Sequence, residues 1–116
     1  MKREVKIFSS PEKLADACAQ EFTGMIRGAQ LTGTLLKVAL SGGNTPKLFF
    51  SVLAEKYAIS VDWNFVHFFW GDERCVLPDD PESNYGSFRD IFLKSLKVIH
   101  PRLLKKESHT FLLYQP

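Results

Sequence analysis

The run Ala39-Leu40-Ser41-Gly42-Gly43-Asn44-Thr45-Pro46 restricts the fold more than any other part of the chain. An apolar stretch gives way to small, permissive residues and then resumes on a proline with helical periodicity, which is the pattern of a strand, a tight turn and a helix start. At the amino end of a helix the first backbone N–H groups lack internal partners and the dipole is positive. Glycines that let the backbone come close therefore make an anion site suited to phosphate. An ordinary strand-to-helix turn capped by Thr45 carries the same pattern, so the rest of the chain has to decide between the two.

Residues 5–8 read as a short strand, after which Ser10 caps a helix with Pro11 in its first position. Leu14, Cys18, Phe22, Met25 and Ile26 recur at helical spacing and predict a buried stripe, with Gly28 ending the helix. A strand follows over residues 35–40, and the helix beginning at Pro46 carries Leu48, Phe49, Val52, Leu53 and Tyr57 along one side. Phe65-Val66-His67-Phe68-Phe69-Trp70 is apolar nearly throughout, as a strand covered on both faces of a parallel sheet requires, and His67 within it reads as an interior side chain. A polar, proline-broken loop over residues 71–82 leads to a helix started by Ser83 or Asn84, with Tyr85, Phe88, Ile91, Phe92 and Leu96 on its inner side.

Successive β-α units of this kind imply an α/β fold: an open, largely parallel, Rossmann-like sheet with flanking helices. In such sheets ligands collect beyond the carboxyl ends of the strands. The Ser41 to Thr45 turn and the Gly71-Asp72-Glu73-Arg74 turn both lie there, and a right-handed crossover brings them side by side.

Composition narrows the partners. The 116 residues are 45% hydrophobic and 13% aromatic, enough for the core of one small domain. A net charge of +2, from 15 basic and 13 acidic side chains spread along the chain, offers no polycationic face for nucleic acid or anionic lipid. Any bound anion is expected to be small. No apolar run reaches bilayer length, and the chain reads as cytoplasmic. Cys18 and Cys75 show no metal-ligand spacing, and a reducing compartment argues against a disulfide; Cys18 reads as a buried helix residue.

Backbone N–H groups of the glycine turn, with a guanidinium from Arg74 or Arg89, would hold the dianion of a phosphorylated sugar. The phosphate then serves as a handle that orients the reacting carbon, and the site need add only a base and stabilisation of developing charge. Asp72 and Glu73 are the nearest carboxylates. Adjacent residues at a strand end point different ways, so one faces the pocket while the other anchors Arg74 or a backbone turn. Plainer readings stand beside these: surface ion pairs for Asp72, Glu73 and Arg74, a helix cap for Asn84, and a surface residue for Arg89. His67, His100 and His109 have no companion motif, and Cys75 has no histidine whose placement the sequence supports, so none is a base or nucleophile.

Leu40-Ser41-Gly42-Gly43-Asn44-Thr45-Pro46, then Phe68-Phe69-Trp70-Gly71-Asp72-Glu73-Arg74, then Asp79-Asp80-Pro81-Glu82-Ser83-Asn84-Tyr85 with Arg89, occur in an order that resembles the 6-phosphogluconolactonases. The similarity extends over most of residues 3–97. Related glucosamine-6-phosphate isomerases (deaminases) share the glycine turn and the Asp-Glu pair, but usually have tyrosine where Arg74 stands. The resemblance implies hydrolysis of 6-phospho-D-glucono-1,5-lactone to 6-phosphogluconate in the oxidative pentose phosphate pathway, without cofactor or metal.

By the matching motifs Ser41, Gly42, Gly43, Asn44 and Thr45 surround the phosphate end, with Glu73, Arg74, Asn84 and Arg89 completing the substrate site. Asp72 takes a supporting catalytic role. The family's histidine base lies in an Asp-Gly-His motif further on, which these residues do not contain. Residues 1–97 are thus expected to be the amino-terminal part of a lactonase/isomerase domain and 98–116 a divergent tail, of a truncated, frameshifted or cloned fragment. A bare sheet edge would then favour self-association. An isomerase, or a non-catalytic sugar-phosphate binding module, are the alternatives.

Overall fold

A computed structural model describes residues 3–99 of the chain. Helix α1 (Pro11–Thr32) starts as its residues dictate, with Ser10 Oγ accepting from Lys13 N and Pro11 opening the first turn. It runs past Gly28 and stops at Gly33, whose φ of 67° supplies the left-handed cap. One glycine in a helix interior costs about 1 kcal/mol, and burial of Ile26 and Ala29 on either side of Gly28 outweighs it. The buried stripe is Ala15, Ala19, Phe22, Thr23, Ile26 and Ala29 rather than one through Leu14, Cys18 and Met25, which are exposed. Small alanines let the helix approach closely, so the core takes the alanine side. Thr23 is buried at no polar cost because its hydroxyl donates to Ala19 O at 2.8 Å.

Strand β1 (Leu36–Leu40) pairs in parallel with strand β2 (Val66–Trp70), Leu40 opposite Trp70. Between them lie helix α2 (Asn44–Val52), a π-helical turn Leu53–Tyr57 and a short 3-10 turn Trp63–Phe65. Beyond β2, helix α3 (Asn84–Phe88), a second π-helical stretch Arg89–Leu93 and helix α4 (Lys94–Ile99) follow one another without a break. Of the tail expected over residues 98–116, residues 100–116 lie outside the described part, as do His100 and His109.

Among the described residues the sheet has two strands. The expected strand over residues 5–8 is absent: that segment pairs with neither strand, and Val5 and Ile7 stay exposed. An apolar run becomes a strand only where a neighbouring edge takes its hydrogen bonds.

The core lies on one face of the sheet. Val66, Phe68 and Trp70 are buried there under α1, α2 and the α3 run. Phe68 and Trp70 stand 4.9 and 5.3 Å from the Phe88 ring, and Phe88 stands 5.0 Å from Phe50 of α2. Trp63 packs edge-on to Phe92 at 4.8 Å and satisfies its indole N–H on Ala58 O. The opposite face, with Lys37, Ala39, His67 and Phe69, is half-buried or exposed, so β2 is not covered on both sides as its composition suggested. His67 is correspondingly a half-buried outer-face residue beside Phe69, not an interior one. The aromatic cluster has a functional consequence: it seats the start of α3 directly beyond the carboxyl ends of β1 and β2.

Candidate functional site

The turn after β1 is built from backbone. Gly43 has φ 118° and ψ 176°, a conformation that is accessible in practice only to glycine, and it forms the N-cap of α2 with no side-chain hydrogen bond. The helix begins at Asn44, two residues before the expected Pro46, and Thr45 is inside the first turn rather than its cap. The first intrahelical bond runs from Lys47 N to Gly43 O, leaving the α2 terminus open to an anion.

The turn after β2 is built from side chains. Glu73 Oε1 accepts from Arg74 N at 2.8 Å and Asn84 N at 2.7 Å; Oε2 accepts from Tyr85 N at 2.9 Å and Ser83 Oγ at 3.3 Å. Burial by itself would push this carboxyl's pKa up, but the bonds from Tyr85, Arg74, Asn84 and Ser83 together prevail and hold it below the usual glutamate range. Ser83 also caps α3, its Oγ accepting from Gly86 N. Arg89 closes the loop from below through Asp79 Oδ1 at 3.0 Å, Pro78 O at 3.3 Å and Asp90 Oδ1 at 3.1 Å.

The two turns meet. Asn84 is buried, donates from Nδ2 to Asp72 O, and lies so close to Gly42 that a Cβ there would run into its amide. Between the turns opens a cleft of about 180 Å³. Gly42 and Gly43 form one wall, with Phe50 at its base. Pro81, Glu82, Ser83, Asn84 and Ser87 form the other. Lys47 and Arg74 supply its positive charge, opposed by Glu82, whose Oε2 is 3.9 Å from Arg74 in an exposed pair.

Of the residues singled out from sequence, Gly42, Gly43, Arg74 and Asn84 therefore share one cleft. Ser41, Asn44, Thr45 and Asp72 flank it without lining it, all four exposed. Glu73 and Arg89 do not line the cleft: the Glu73 carboxylate is engaged at the start of α3, and Arg89 bonds through Nε and Nη2 to Asp90, Asp79 and Pro78 in the loop beneath. Lys47 and Ser87 also line the cleft and drew no reading from the sequence, while Glu82 entered only as part of a motif. Lys47 was open to discovery, because a basic residue one helical turn after Gly43 stands on the same side of α2 as the anion turn.

A family model described as glucosamine-6-phosphate isomerases/6-phosphogluconolactonase matches residues 9–111. The chain is 40% identical over 92 residues to 6-phosphogluconolactonase of Haemophilus influenzae, covering 78% of this chain and 38% of that protein. It is 39% identical to that of Aggregatibacter actinomycetemcomitans, with the same coverage. The solved 6-phosphogluconolactonase from Trypanosoma cruzi superposes with a TM-score of 0.71 at 34% identity, over 81% of this chain and 36% of that one. The chain thus spans about two fifths of the length of the curated relatives it matches.

Proposed function

Since this chain belongs to the family of glucosamine-6-phosphate isomerases and 6-phosphogluconolactonases, we propose that it carries the phosphate-binding part of a site for 6-phospho-D-glucono-1,5-lactone, whose hydrolysis yields 6-phosphogluconate. The observation that carries this reading is the shared cleft: the uncapped amino end of α2 at Gly43 and the cations Lys47 and Arg74 face one space. Ligand pockets for drug-sized molecules run to about 300–1,000 Å³. A cleft of about 180 Å³ suits the phosphoryl end of a sugar rather than the whole molecule.

In the reaction, water adds to the lactone carbonyl, the ring C–O bond breaks, and the ring oxygen leaves as a hydroxyl. Phosphate held at one end fixes the carbonyl relative to a base, lowering the entropic part of the barrier. Asp72, exposed beside the cleft with its carbonyl held by Asn84, supports the order of that region. No histidine among the described residues lines the cleft. This favours a second reading, in which the chain by itself binds a sugar phosphate without turning it over. Arg74 favours the lactonase over the isomerase in either case. We place the protein in the cytoplasm, and the outer edges of the two-stranded sheet, unpaired among the described residues, suit self-association.

Calorimetric titration decides the binding claim. 6-Phosphogluconate should bind at least about tenfold more tightly than gluconate, the worth of a charge-assisted contact; equal affinities would remove the proposal. Lactone consumption at the buffer rate with binding intact selects the binding module, and ammonia release from glucosamine 6-phosphate selects the isomerase.

A further inference from the structure

We propose that Glu73 is the positioning residue of the phosphate subsite: it touches no ligand, and it sets affinity for the phosphate by fixing Arg74 and Asn84 against the glycine turn. The inference rests on the sugar-phosphate reading above and assigns a role within it.

An ionised carboxylate offers about four lone-pair sites. In Glu73 all are engaged, by Arg74 N, Asn84 N, Tyr85 N and Ser83 Oγ. Its charge is therefore neutralised in place by backbone donors at the start of α3, and it adds little repulsion to an incoming dianion. The groups it holds are those that line the cleft. Arg74 is pinned at its backbone, while its side chain is 59% exposed and its guanidinium makes one long contact to Glu82, leaving it able to turn onto an anion. Asn84 is pinned at its backbone N, and its side chain is trapped between Asp72 O and the Cα of Gly42. One side chain thereby sets the distance between a cation and the wall on one side and the anion-accepting turn on the other.

Glu73→Gln keeps the shape but leaves one acceptor oxygen, and its amide NH2 confronts N–H and O–H donors. The 6-phosphogluconate over gluconate affinity ratio should fall about tenfold in E73Q, as for loss of about one hydrogen bond to a charged group, with gluconate affinity unchanged. A merely structural role moves both ligands together, so equal loss on both, or an unaltered ratio in a variant that still melts cooperatively, overturns the inference. Phe92→Leu, which loosens the core away from the cleft, serves as the control that lowers the melting temperature and leaves the ratio alone. Should E73Q not fold, Glu73→Asp keeps the charge but shortens the reach, and a ratio equal to the wild type in E73D overturns the inference as well. A wild-type chain with no phosphate preference would instead bring down the function reading, and this role with it.

Discussion

The glycines of the cleft corner and those of α1 are the same residue under opposite constraints. At Gly86 an added Cβ would strike Pro78 O, and at Gly42 it would strike the Asn84 amide. At Gly24 and Gly28, on the exposed side of α1, it would meet nothing within 4 Å. The corner is thus a place where neighbouring segments leave no room for a Cβ, against backbone at Gly86 and against a side chain at Gly42, whereas α1 is held by its buried stripe and tolerates its other face. Tight approach costs conformational entropy and is found where the cleft is; the helix that merely supports the fold has room to spare.

The largest test of that contrast is Gly86→Ala. Its Cβ is opposed by backbone, which cannot rotate away, so a loss of about 3 kcal/mol is expected in urea unfolding; a loss below about 1 kcal/mol would show the corner to be as slack as α1. Gly43→Ala comes next. Here the obstacle is conformation rather than space, and about 2 kcal/mol should be lost, with phosphate-dependent binding weakened beyond what stability explains, as the α2 terminus turns away.

Acid probes the same corner without a shape change. Because the folded-state pKa of Glu73 is lowered, its contribution to stability is complete above the ordinary glutamate range and is lost as pH falls through the folded value. Melting curves of the wild type and E73Q should therefore converge as the solution is acidified from neutrality; a constant gap would mean that the Glu73 carboxylate charge contributes nothing. The smallest effect has the opposite sign. Gly28→Ala should raise stability by about 0.5–1 kcal/mol, since helix propensity improves and nothing stands in the way; destabilisation would reveal a contact that α1 makes through that face.

Much of the site could be read before any coordinates. Ser10-Pro11 and Ser83 start helices because a capping oxygen and a preset φ act within four residues. Gly42 and Gly43 marked the turn after β1, where Gly43 holds a positive φ and Gly42 leaves room for the Asn84 amide. The errors share a cause too. Which side of α1 is buried depends on what approaches it, and Ala15 and Ala19 won over Leu14 and Cys18 by allowing a closer approach. Arg89 and Arg74 look alike as sequence, yet one bonds to Asp79, Asp90 and Pro78 outside the cleft and the other lines it.

Local order therefore follows from the amino-acid sequence by itself: three covering helical runs, two parallel strands and two polar turns after them. Those features arise from interactions that reach only a few residues along the chain. The division of labour between Glu73 and Asp72, or between Arg74 and Arg89, was decided only when distant segments met. Hydrogen bonding and desolvation depend on distances of a few ångströms, and adjacency in sequence does not determine which donor a carboxylate finds across the fold.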